Sequence, residues 1–229
     1  MQCVILAAGY GSRMGDLTKD VPKPMLRVKE RPLLEYKVHV LPKEITEIVF
    51  VIGYQCHHII NYFGSYYAGR PIRYAFQSAL RGTADALHTA RPFLGERFMV
   101  LMGDDFYART DLRDMVGDRL AILGYHGDNV HGKGVIIADE DRRLSAVQEK
   151  AQGAHTGFVN AAAYMLTQDF FNYAPVCAGN DYTQEVGLPQ TLAQMTDHHE
   201  VIIHRATAWL PVTTPEDLET AAVRIGEFL

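Results

Sequence analysis

An α/β fold is what the sequence predicts: a doubly wound, mostly parallel sheet with helices on both faces, joined to a smaller, β-rich half. Three observations carry that expectation. Short apolar, β-favouring runs alternate with stretches of helical spacing up to about residue 119, the order that builds a parallel sheet. The runs stop at a glycine or an acid, as at Gly9, Gly53 and Gly103-Asp104. Past Leu120 the texture changes, and strand-like runs follow one another with Gly- and Asp-rich turns between them.

Taken in order, Val4, Ile5 and Leu6 lead into Ala7, Ala8, Gly9 and Gly11, a buried strand entering a tight turn. Pro32 suits the first turn of a helix carried by Leu33, Leu34, Tyr36, Val38, Val40 and Leu41. The continuous apolar run Glu47–Ile52 reads as a strand buried on both faces. His57–Phe63 reads as a second helix, 72–76 as a third strand and 98–102 as a fourth. Thr83 is placed to cap a helix between those last two strands. In the second half, strands are expected at 120–125, 134–138, 144–147 and 158–166, with short helices near Phe170 and Thr191. The last helix starts at Pro215, with Glu216 and Asp217 favourable to its dipole and Leu218, Ala221, Ala222 and Ile225 on its apolar face. No linker interrupts the chain, so one domain over 1–229 is expected, its halves meeting near residue 120.

Composition narrows the function. The chain has 229 residues, 48% of them hydrophobic, enough for a sizeable core. A net charge of −5 argues against nucleic acid and against a membrane surface, so any phosphate site must be local. No apolar run could span a bilayer, and Met1-Gln2-Cys3 lacks the basic flank of a signal peptide. Cys3, Cys56 and Cys177 are scattered and show no metal spacing, which fits a reducing, cytoplasmic address. The pairs His57-His58 and His198-His199 lack a third metal ligand and read as surface or core-edge residues.

One stretch carries chemistry. Gly9 and Gly11 let the backbone bend and come close to a ligand, and exposed N–H groups in such a turn form an anion site. Arg13 adds a planar fork suited to phosphate oxygens. Lys23 stands between Pro22 and Pro24, which stiffen the segment that presents it. Together they suit a polyphosphate. The spacing matches neither the dinucleotide fingerprint nor a Walker loop. Leu6-Ala7-Ala8-Gly9-Tyr10-Gly11-Ser12-Arg13-Met14 followed by Pro22-Lys23-Pro24-Met25-Leu26 instead resembles the signature of nucleotidyltransferases that join a nucleoside triphosphate (NTP) to a sugar 1-phosphate. Asp16 stands where that pattern has proline.

The resemblance implies a Rossmann-like nucleotide half over about 1–119 and an acceptor half over about 120–229. It implies that Leu6, Ala8, Gly9 and Gly11 hold the nucleotide and that Arg13 and Lys23 serve catalysis. Gln77, Gly82 and Thr83 in Gln-Ser-Ala-Leu-Arg-Gly-Thr-Ala-Asp-Ala-Leu would form the wall that reads the base. A carboxylate at a strand end suits Mg²⁺ or a turn, and Asp104 and Asp105 are both placed for it; the family's L-x-G-D pattern selects Asp104 as the metal ligand. Glu149, Lys150 and Asn160 would meet the sugar phosphate, with Asp181 or Glu185 left open as further contacts. Several positions depart from the pattern: Ala151 stands for proline, Ala162 for glycine and Thr213 for glycine. Pro211 stands for a second metal-binding aspartate. Two alternatives follow: transfer to a non-sugar phosphate such as phosphocholine or a polyol phosphate, and a nucleotide-binding homologue with impaired catalysis. Relatives of this kind often associate, so a homo-oligomer is among the expectations.

Overall fold

The computed structural model describes residues 1–141, 143–149, 151, 156–178 and 185–228. Strand β1 (Gln2–Ala7) is the centre. It pairs in parallel with β2 (Glu47–Ile52) on one side. On the other it pairs in parallel with β4 (Arg97–Met102). Strand β3 (Arg70–Phe76) extends the sheet beyond β2, again in parallel. The order β3-β2-β1-β4 reverses direction between β1 and β4, and ligands of such sheets bind beyond the strand ends at that switch.

Alternation along β1 shows why both faces are covered. Cys3, Ile5 and Ala7 enter one core with helices α1 (Leu33–Val40) and α2 (His57–Phe63). Val4, Leu6 and Ala8 enter the other with α3 (Thr83–Ala90). The period of two sends successive side chains to opposite faces, so a continuous apolar run needs helices on both.

The long strands of the second half join the sheet of the first, and the short pair Val176–Cys177 with Val186–Gly187 stands apart from it. After β5 (Asp105–Tyr107) and α4 (Arg109–Met115) come β6 (Ala121–Gly127), β7 (Val135–Ala138), β8 (Leu144–Gln148) and the long β9 (Gly157–Thr167). Ala163 to Thr167 of β9 pair antiparallel with Leu101 to Arg97 of β4. β9 also pairs with β6 and β7, so one sheet runs through both halves. Helix α5 (Leu188–Ala193) packs with α3 in the second core. Strand β10 (Ile202–Arg205), which was not expected, adds to β6 in parallel. β11 (Trp209–Pro211) pairs with β5. Helix α6 (Pro215–Arg224) begins with a capping box of Thr214 and Asp217 and covers a third apolar cluster containing Leu33, Tyr36 and Phe106.

Two local expectations are corrected. Pro32 closes a short hairpin, Arg27–Val28 with Arg31–Pro32, and α1 starts after it. The segment near Phe170 is one 3₁₀ stretch, Gln168–Asn172, rather than an α-helix.

Candidate active site

The loop after β1 uses two glycines of different kinds. Gly11 takes φ 66°, and a Cβ there would lie 2.7 Å from the Cβ of Lys23. Left-handed backbone and a close neighbour both demand glycine. Gly9 has neither constraint; nothing lies within 4 Å of a Cβ built on it. Thr18 Oγ1 donates to the carbonyls of Gly11 (3.2 Å) and Gly15 (3.3 Å) and closes the loop. Among the described residues, no backbone N–H from Gly9 to Arg13 donates to a backbone carbonyl, which suits an anion-binding concavity.

Lys23 reaches the same place from below. Pro22 is extended, but the chain then makes one 3₁₀ turn, Lys23–Met25, instead of continuing extended. Lys23 Nζ donates to Asp104 Oδ2 at 2.5 Å; the lysine side chain is 10% exposed and the carboxylate 31%. Gly103 permits the approach, since a Cβ there would lie 2.9 Å from the carbonyl oxygen of Leu6. Arg13 is exposed and has no ion-pair partner among the described residues.

Across from the loop stands Gln77, buried at the end of β3. Its Nε2 donates to the Gly82 carbonyl (3.2 Å) and to Asp85 Oδ2 (2.9 Å). Gly82 has φ 103°, and a Cβ there would lie 2.2 Å from the Val186 carbonyl oxygen. The expectation that Thr83 caps α3 is corrected: Gly82 takes the N-cap position, and Thr83 Oγ1 accepts from Leu188 N at 2.9 Å. That bond ties α3 to α5.

One cavity of about 460 Å³ gathers these groups at the switch point. It is lined by Leu6, Ala8, Gly9, Gly11, Arg13, Lys23, Gln77, Gly82, Thr83 and Asp104 together. Glu185 and Thr213 line it as well, as do Tyr10, Ser12, Leu80 and Met102, which the sequence did not single out. Tyr10, Ser12 and Leu80 fall inside the motifs without a role of their own there, and Met102 ends the apolar run before Gly103-Asp104.

The match to known proteins follows the same outline. The family model described as nucleotidyl transferase covers residues 2–227. The chain belongs to that family. This nucleotidyl transferase is 27% identical over 213 residues to D-glycero-alpha-D-manno-heptose 1-phosphate guanylyltransferase of Campylobacter jejuni, covering 83% of the chain and 96% of that relative. It is 26% identical over 171 residues to the bifunctional protein GlmU of Methanocaldococcus jannaschii, where the match covers 75% of the chain but only 41% of that longer relative. A solved UDP-glucose pyrophosphorylase bound to UDP-glucose shares the fold, with TM-score 0.82, 20% identity and coverage of 99% and 98% of the two chains.

Of the residues that the resemblance gave to the acceptor in this nucleotidyl transferase, Glu149 and Asn160 are described and make other contacts. Glu149 is exposed, and its Oε1 accepts from Gln190 Nε2 at 2.8 Å. Asn160 is satisfied within β9: Oδ1 accepts from Ala162 N (2.9 Å) and Nδ2 donates to Tyr164 Oη (2.9 Å). Neither lines the cavity. Lys150 and Asp181 lie outside the described residues.

The donor set fits one divalent ion completed by substrate. Asp104 offers a hard, part-exposed carboxylate on the cavity, and Mg²⁺ is commonly held by one or two carboxylates with phosphate oxygens and water. Among the described residues no three His, Cys, Asp or Glu cluster as metal ligands. Pro211 sits opposite Asp105 in the β5–β11 pair and has no side-chain oxygen. Asp105 is engaged elsewhere, accepting from Trp209 Nε1 at 3.2 Å.

Beneath Asp104 lies a charge that sequence reasoning missed. Lys37 is fully buried, with no acceptor for its Nζ, which stands 4.2 Å from the centre of the Phe106 ring. Burial pushes its ammonium down to about 7 against the pull of Asp105 and Asp104. Burial also pushes the Asp105 carboxyl up, reinforced by Asp104 and opposed by Lys37.

Proposed function

We propose that the chain transfers a nucleotidyl group from an NTP to a sugar 1-phosphate, giving an NDP-sugar and pyrophosphate. The observation that carries this is the convergence of Arg13, Lys23 and Asp104 on one cavity beneath a loop of unpaired N–H groups. An oxygen of the acceptor phosphate attacks the α-phosphorus in line. The bond from the α-phosphorus to the bridging oxygen breaks, and pyrophosphate leaves with the electron pair. Catalysis is then positioning and charge neutralisation.

In this reading Gly9 and Gly11 let the backbone cradle the phosphates, and Arg13 neutralises the departing pyrophosphate. Lys23 exchanges its carboxylate partner for α-phosphate oxygens when nucleotide binds. Asp104 would hold Mg²⁺, which supplies charge neutralisation on the phosphates. Gln77, Gly82 and Thr83 form the base wall. Lys150, with Glu149 and Asn160, is assigned to the acceptor by resemblance alone; for the latter two this requires rearrangement of the bonds they now make. The net charge of −5 gives no general attraction for polyanions, so phosphate binding falls to the local cations Arg13 and Lys23.

The test is pyrophosphate release across a panel of NTPs, sugar 1-phosphates, phosphocholine and polyol phosphates. A charge-assisted contact contributes about 1.5–3 kcal/mol, so Lys23→Ala is expected to cut turnover roughly 10–100-fold with the fold intact by circular dichroism. Equal turnover would remove Lys23 from the mechanism. Release with phosphocholine or a polyol phosphate, and with no sugar 1-phosphate, would move the acceptor to another class.

A further inference from the structure

Gln77 is buried, yet it lines the cavity. Both partners of its Nε2, the Gly82 carbonyl and the Asp85 carboxylate, can only accept. The amide cannot be turned over without setting its oxygen against two acceptors. Asp85 is itself fixed by Arg81, whose guanidinium meets Oδ1 at 2.9 Å. No described residue donates to Gln77 Oε1, and that atom is not sealed in the interior. The oxygen is therefore the part of Gln77 left for the cavity.

A second acceptor stands nearby. Glu185 is exposed and lines the same cavity. Its neighbour Val186 donates its N–H to the Arg81 carbonyl (2.8 Å) and lies against Gly82. Gln77 and Glu185 thus belong to the two segments that meet at Gly82; Leu80, Ala86 and Met102 add apolar side chains to the wall, and the hydroxyl oxygen of Thr83 is already engaged by Leu188 N. An edge of side-chain acceptors asks for adjacent donors on the base. Guanine alone offers two side by side, N1–H and the 2-amino group. Uracil and thymine offer one N–H between two carbonyls. Adenine and cytosine place a ring acceptor beside their amino group.

We propose that this wall selects guanine, with Gln77 Oε1 and Glu185 accepting from its N1–H and 2-amino groups and Asp85 as the positioning residue that fixes the glutamine amide. This rests on reading the cavity as an NTP site. Calorimetric titration of the full chain with GTP, ITP, UTP, dTTP, ATP, CTP and inorganic tripolyphosphate tests it. GTP is expected to bind at least about tenfold tighter than ATP, CTP, UTP or dTTP, and tighter than ITP, which lacks the 2-amino group. Glu185→Gln and Asp85→Ala should each reduce the ratio of GTP to ATP affinity while leaving tripolyphosphate affinity unchanged. Any other NTP binding as tightly as GTP would overturn the proposal and leave the phosphate site standing. Failure of every nucleotide and of tripolyphosphate to bind would overturn the NTP reading itself.

Discussion

Three residues show how single backbone positions divide between folding and function. Gly82 combines φ 103° with a neighbouring carbonyl 2.2 Å from any Cβ, so Gly82→Ala is expected to destabilise by about 2–4 kcal/mol in urea denaturation. Gly9 has open space on its Cβ side. Gly9→Ala should leave the denaturation midpoint unchanged and weaken triphosphate binding; a midpoint shift as large as that of Gly82→Ala would deny the distinction. Ala162 takes φ 55° at the bulge of β9, where its N–H meets Asn160 Oδ1 and its carbonyl accepts from Tyr107 Oη (3.2 Å). Alanine in that conformation costs roughly 1–2 kcal/mol, partly offset by the greater chain entropy of glycine. Ala162→Gly should therefore stabilise by about 0.5–1 kcal/mol, and a loss of stability would mean that the methyl packing outweighs the strain. The glycine motif was legible in the sequence, but the difference between Gly9 and Gly11 was not. It depends on Lys23, twelve residues on, folding back against Gly11.

Among the elements, α1 is the most informative. It lies between the sheet and the α6 layer: Leu34 and Val38 belong to the first core, Leu33 and Tyr36 to the third. Its helical spacing was readable, but a helix covered on two sides has no surface stripe on which to leave a lysine. Lys37 becomes buried where β5, through Phe106 and Tyr107, and the segment after α6, through Ile225 and Phe228, close around it, and nothing local in Leu-Leu-Glu-Tyr-Lys-Val-His-Val announces that. Lys37 and Asp105 form a buried pair of opposite charge potential, and removing either partner leaves the other exposed to the full penalty of burial. In a double-mutant cycle with Lys37→Met and Asp105→Asn, the double variant should be more stable than the sum of the singles implies by about 1 kcal/mol or more. Strict additivity would show that the two groups act independently. Strands β10 and β11 escaped the sequence for another reason: they are four and three residues long, and short runs carry little period. The run Val201-Ile202-Ile203 was the available signal.

At the scale of the whole molecule, the parallel sheet of the first half and a cavity beyond its strand ends followed from where the apolar runs stop, whereas the order β3-β2-β1-β4 is seen only in the fold. The sharing of one sheet between the halves is likewise seen only there. It comes from β9, whose eleven residues reach from β7 to β4, and a long-range pairing leaves no mark in a local pattern. The Tyr107 hydroxyl links the two halves at this join, accepting from Met102 N (3.3 Å) and donating to Ala162. Among the described residues no helix is long and apolar enough to cross a membrane. The central claim places triphosphate and divalent ion together at the end of β1 and β4. A crystal grown with a non-hydrolysable NTP and Mn²⁺ measures both at once. The phosphates should lie against Gly9 to Arg13 and Lys23, with an anomalous manganese peak beside Asp104. Phosphates seated in another cavity, or manganese bound away from Asp104, would contradict the account.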